Sequence, residues 1–135
     1  MLFQCIIVAF FVGLIIVTIN LFPKYKFTYF KSPDKKHIVT RVDYDGKTYF
    51  TYGKYESKNI PRNYISPDYA GFNSGFELFL FFEGDTATLY AQYGTFTSIG
   101  NNYKLKSEVF NGYGNDSAFL TMKNDNTGKY YFLTD

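Results

Sequence analysis

The chain has 135 residues, a net charge of +2, 46% hydrophobic and 22% aromatic residues, one Cys and one His. That length suits one domain with a real core and is too short for two. A single Cys excludes an intrachain disulfide framework, and because that Cys is Cys5, residues 24–135 hold one His and no Cys, which excludes, within one chain, zinc sites built on those ligands and Cys/His nucleophilic machinery there.

Residues 1–22 carry no charge, and from Leu2 onward only Gln4, Gly13, Thr18 and Asn20 interrupt the apolar run. About 20 such residues at 1.5 Å rise match a bilayer core of roughly 30 Å, so residues 1–23 are expected to form a single transmembrane anchor closed by Pro23. A cleaved secretory signal needs a basic start, a shorter apolar core and a small-residue exit, and none of these is present. Cys5 reads as a small apolar residue of that helix, with acylation as the alternative.

Residues 24–36 read as a basic and aromatic juxtamembrane linker. Lys24, Tyr25, Lys26, Phe27, Tyr29 and Lys31 alternate cations with amphipathic rings, which suits the headgroup layer and makes membrane lipid a partner rather than nucleic acid. Five lysines (Lys24, Lys26, Lys31, Lys35 and Lys36) follow the anchor and none precedes it, so the positive-inside rule favours a cytoplasmic C-terminal domain. Single anchors ahead of small β-domains commonly export them, and the side stays open. Charge is uneven as well: residues 24–62 hold ten Lys/Arg against four acids, and residues 63–135 hold four Lys against eight acids. A basic half beside the anchor gains about 1 kcal/mol per residue near an anionic surface.

Residues 37–135 are expected to form an all-β domain of about eight antiparallel strands, as a lipocalin-like barrel or a sandwich. All 14 Tyr and 12 of the 16 Phe lie beyond residue 23, and such rings fit a pleated, half-buried surface. Residues 37–44 alternate, Asp45-Gly46 is a strong hairpin signal, and residues 47–56 return as a strand. Residues 57–74 break the pattern with Pro61, Pro67 and several turn formers. A loop of that length in a compact domain is usually functional. Its Arg62, Tyr64, Asp68, Tyr69 and Phe72 are the candidate binding residues, because aromatic anchors and guanidinium groups dominate contact energy. The competing reading has these rings cap one end of the barrel.

Residues 75–83 are nearly continuously apolar, as in a central strand, and Gly84-Asp85 turns them into the alternating segment 86–93. Further strands are expected near residues 95–99, 103–110, 117–124 and 129–134. The stretch 79–105, with its Gly84-Asp85 turn, Tyr93-Gly94-Thr95-Phe96 and Asn101-Asn102-Tyr103-Lys104-Leu105, resembles the repeated hairpins of small lipocalin-like barrels. The anchor followed by Ser32-Pro33-Asp34-Lys35-Lys36 and strands is similar to small uncharacterised membrane-anchored bacterial proteins. The first likeness implies a meander closing into a barrel, and neither implies a functional residue.

No G-x-S-x-G, phosphate-cradling or dinucleotide glycine motif occurs. Asp43-x-Asp45-Gly46 holds only part of a calcium loop. Glu77 and Glu83, six residues apart on one strand, would lie about 20 Å from each other, beyond glycosidase geometry. The expectation is therefore no enzyme, no metal and no cofactor. In its place stands a membrane-tethered domain that binds a membrane or envelope protein or other envelope component through residues 57–74. The alternative is a carrier holding a small apolar ligand or lipid in a barrel cavity.

Overall fold

The structure, a computed structural model, describes residues 6–8, 12–15, 23–68, 78–92, 94–110 and 116–133. Among these, the strands run β1 (Lys26–Lys31), β2 (Ile38–Tyr44), β3 (Lys47–Tyr52), β4 (Tyr64–Asp68) and β5 (Leu78–Glu83). They continue with β6 (Thr86–Ala91), β7 (Thr95–Ile99), β8 (Leu105–Val109), the helix α1 (Asp116–Lys123) and β9 (Tyr130–Leu133). One sheet has the order β1-β2-β3-β4-β7 and the other β8-β6-β5-β9.

Turn chemistry sets the hairpins. Asp45 and Gly46 both have positive φ, 51° and 71°, as a type I′ turn requires, and they pair Tyr44 with Lys47. Gly84, at φ 60°, occupies the first central position of the β5–β6 turn, where a II′ geometry wants glycine, and pairs Glu83 with Thr86. The 32–37 turn is tied by side chains: the Ser32 hydroxyl donates to Asp34, while the Lys36 and His37 N–H groups donate to Asp34 Oδ1 (3.1 Å) and Ser32 Oγ (3.0 Å).

The two sheets share one core. Val39, Phe50 and Ile65 of the first face Leu80, Leu89, Leu105 and Leu133 of the second, and all are buried. Phe30 and Tyr131 meet edge to face at 5.3 Å, and the hydroxyls of Tyr131 and Tyr52 donate across the sheets to the carbonyls of Lys31 and Asp85. The expected all-β architecture is present as two sheets. The barrel is not: the sheets do not close on each other, and strands number nine among the described residues.

Four further expectations are corrected. β6 and β8 pair in parallel, Ala87 opposite Leu105 and Ala91 opposite Val109. A parallel pair needs a crossover of a dozen or so residues, and residues 92–104 provide it by contributing β7 to the other sheet. Residues 24–36 are not a linker, since β1 lies within them and pairs with β2 from Lys26↔Asp43 to Lys31↔Ile38. Residues 57–74 are not all loop, since β4 lies there. Residues 117–124 are mainly α1 rather than a strand. Ala118, Leu120, Met122 and Lys123 are favourable helix residues, and the Asn124 N–H closes the last turn on the Leu120 carbonyl at 3.0 Å.

Residues 6–8 and 12–15 are helical. No helix among the described residues is long and apolar enough to cross a membrane, and the rest of the uncharged 1–22 run lies outside them.

The turns carry a pH signature. The Ser32 hydroxyl, then the Lys36 N–H, hold the Asp34 carboxyl below its ordinary value near 3.8, and the Lys104 ammonium, at 3.1 Å, does the same to Asp85. A carboxyl depressed in the folded state contributes stability above its unfolded value and loses it as pH falls through the folded one. Melting temperature is therefore expected to drop below about pH 4. Asp34→Asn is expected to flatten part of that drop, as read by circular dichroism melts between pH 2 and 7.

Candidate functional site

Strand alternation gives the five-stranded sheet an inner face, carrying Phe30, Val39, Phe50 and Ile65, and an outer face. Phe27 and Tyr29 of β1 take the outer face, as do Thr40, Val42 and Tyr44 of β2, Tyr49 and Thr51 of β3, and Tyr64, Ser66 and Asp68 of β4. Many of the chain's rings therefore lie outside the inter-sheet core. Tyr25 stacks on Tyr44 with centroids 3.9 Å apart, Phe27 meets Tyr55 at 6.5 Å, and Tyr49 meets Tyr64 edge to face at 5.0 Å.

Half of this face is roofed. The chain after β3 folds back so that Thr40 Oγ1 donates to the Gly53 carbonyl (2.7 Å) and accepts from the Tyr55 N–H (3.1 Å). The Tyr29 hydroxyl reaches the Tyr55 carbonyl at 3.3 Å. That roof buries Thr40 with both its hydrogen-bonding roles filled.

The other half opens into a cleft. β3 and β4 pair through one register position, Phe50↔Ile65, and part on either side of it. Side-chain hydroxyls mend the seam: Thr51 Oγ1 donates to the Asn63 carbonyl (2.8 Å) and Ser66 Oγ to the Thr48 carbonyl (2.7 Å). Pro67, which has no N–H to give a ladder, falls where β4 has already left β3. The resulting cleft, about 380 Å³, is bounded by the Gly46–Lys47 turn, Tyr49, Tyr64, Ser66, Asp68 and Thr97. Burial pushes the Tyr49 phenol up, and Tyr64 beside it adds to the shift, so Tyr49 stays neutral at physiological pH. Thr97 donates its hydroxyl to the Asp68 carboxylate.

Of the five binding candidates, Tyr64 and Asp68 line this cleft. Arg62 precedes β4 at its opposite end, roughly 20 Å along the strand from Asp68, and points to no shared site with it. Tyr69 and Phe72 lie outside the described residues, as does Glu77. Of the headgroup candidates, Tyr25 stacks beside Phe27, and Phe27 and Tyr29 share the outer face with Lys31. Lys26, opposite Asp43, belongs to the other face, and Lys24 precedes β1. Missed by sequence reasoning were Lys47, Tyr49, Ser66 and Thr97. Ser66 was findable, because it falls between Tyr64 and Asp68 at strand spacing. Thr97 was not, because its place opposite Ser66 depends on β7 leaving the sheet of its neighbours.

Two other hollows lie elsewhere on the described residues. One, about 490 Å³ and mostly apolar, lies between the 32–34 and 127–129 turns, where Ser32 and Asp34 are already engaged in their own turn. The other, about 300 Å³, lies along Tyr52, Asn102 and Lys104. Among the described residues, no group of three or more His, Cys, Asp or Glu converges as metal ligands would. No protein-family model, curated protein or solved structure matches this chain.

Proposed function

We propose that the chain is a non-catalytic binding module, held at a membrane by its uncharged N-terminal segment, and that it binds through the cleft beside β4. One observation carries the reading. Two aromatic rings, two hydroxyls and a carboxylate from β3, β4 and β7 converge on one cleft, and strands fix every one of them. Rigid rings beside a few placed polar groups are how small sites combine affinity with orientation. The anchor rests on residues 1–22 being free of charge, and the lysine excess after them supports a cytoplasmic domain. The carrier alternative has less behind it, since the sheets stay open and Phe50, Leu80, Leu89 and Leu105 fill the space between them.

Two measurements test the proposal. The full-length chain is expected to stay with membranes through an alkaline wash. On an immobilised panel of envelope glycans, peptides and lipid headgroups it is expected to bind at least one class, and Tyr64→Ala and Asp68→Ala should each weaken that binding about tenfold or more, with little change in melting temperature. Binding that survives both substitutions, or release by the wash, would overturn it.

A further inference from the structure

The topology puts the cleft at one particular end of the sheet. Lys26 pairs with Asp43, Tyr44 with Lys47, and Asp68 with Thr95, while Ser66 bonds the Thr48 carbonyl. Tyr25, the Asp45-Gly46 turn, Asp68 and Thr95 therefore share that end. The Tyr25–Tyr44 stack fixes the chain beside the turn as it comes in from Pro23. Two residues, Pro23 and Lys24, separate Phe22 from Tyr25, so three backbone steps give a reach of at most about 11 Å. Strand spacing then sets the cleft about 14 Å across the sheet from β1. If residues 1–22 anchor the chain as proposed, it is this end, and not the opposite one, that they would hold at the headgroup layer.

The hydrogen-bond roles in the cleft select the ligand. Ser66 has given its hydroxyl proton to the Thr48 carbonyl and Thr97 its proton to Asp68, so both oxygens line the cleft as acceptors alongside the carboxylate. Towards these three groups a ligand must bring donors. The negative charge of Asp68 and the rings of Tyr49 and Tyr64 favour donors that carry positive charge. Exposed Lys47 at the mouth suits an anion joined to that cation. We infer that the cleft takes a phosphoethanolamine headgroup from the bilayer that anchors the chain, its primary ammonium on Asp68, Ser66 and Thr97 and its phosphate towards Lys47. This rests on the membrane-tethered reading and adds the ligand and its source.

The test places the isotope-labelled full-length chain in nanodiscs of phosphatidylglycerol alone, or mixed with phosphatidylethanolamine or phosphatidylcholine. The Ser66 and Thr97 amide resonances are expected to shift with phosphatidylethanolamine and to stay put with the other two. Soluble O-phosphorylethanolamine should reproduce the shift, Asp68→Asn should weaken it at least tenfold, and Lys47→Gln severalfold, with resonances of the Phe50 and Leu80 core unmoved. Equal shifts in all three lipids would overturn the inference. So would binding of the soluble compound without a response in nanodiscs, which removes the bilayer as source and leaves the binding site standing. Silence towards both forms, with another member of the panel bound, would overturn the ligand class alone.

Discussion

Phe50→Ala is expected to cost about 3–5 kcal/mol, the usual range for deleting a fully buried ring. Phe50 is 0% exposed and packs in the cluster that joins the two sheets. It is also the β3 member of Phe50↔Ile65, the single register pair between β3 and β4. Removing its ring therefore opens a cavity between the sheets and loosens the seam on which the cleft is built. Against a typical total of roughly 5–15 kcal/mol for a small domain, that loss is a large fraction. Urea denaturation followed by circular dichroism checks it, with Tyr103→Ala as control: Tyr103 is 81% exposed, and its truncation is expected to change stability by less than about 0.5 kcal/mol. A cost below about 1 kcal/mol for Phe50→Ala would mean that the sheets are not held together through this residue.

The same seam shows which parts of the fold can be read from the sequence. Hairpins follow local chemistry: Asp45-Gly46 and Gly84-Asp85 each dictate a two-residue turn, and both are found with the φ values those turns need. β5 was legible because a run of Leu and Phe of strand length needs cover on both faces. On its inner face Leu78, Leu80 and Phe82 cluster with Val39, Phe50 and Ile65 of the other sheet, and on its outer face Phe79 is buried as well, with Phe132 beside it at 5.1 Å. β4 was illegible because Pro67 and Asn63 are loop formers in most settings, and here a missing β3 partner and the hydroxyls of Thr51 and Ser66 make them tolerable. Ring density misled in a different way. It signals pleated structure but not closure, and the tyrosines lie largely on outer faces, as in the Tyr130–Phe81 and Tyr90–Phe110 stacks at 4.6 and 5.3 Å. Candidate residues on the local 57–74 segment were within reach, whereas Tyr49 and Thr97 required knowing which strands become neighbours, a non-local fact that no single stretch encodes.

Gly100→Ala is expected to be more damaging than the same change at Gly46, Gly53, Gly84 or Gly128, and to weaken ligand binding at a distance. Gly100 follows β7 at φ +75°, and a Cβ there would sit 2.1 Å from Asn63 Oδ1 and 2.7 Å from the Arg62 carbonyl oxygen. Asn63 Oδ1 also accepts the Asn101 N–H at 3.0 Å, and Asn102 Nδ2 bonds the Tyr64 carbonyl at 3.1 Å, so the contact closes the joint between β4 and β7. Three costs combine: left-handed backbone on an alanine, about 1–2 kcal/mol; the displaced Asn63 bond, about 1 kcal/mol; and a shift of the Arg62 backbone, which no rotamer change relieves. Gly128→Ala separates them, because Gly128 has nearly the same φ, +74°, with nothing within 4 Å of the added carbon. Thermal melts are expected to place Gly100→Ala lower than Gly128→Ala by at least the value of the lost bond. Because Tyr64 begins the strand that ends in Asp68, the displaced joint also moves one wall of the cleft. Affinity for whichever ligand the cleft takes should fall in Gly100→Ala at temperatures where the variant is still folded, and stay unchanged in Gly128→Ala. Equal melting temperatures for the two variants would show that the β4–β7 joint yields freely, and a site that depends on its rigidity would lose its support.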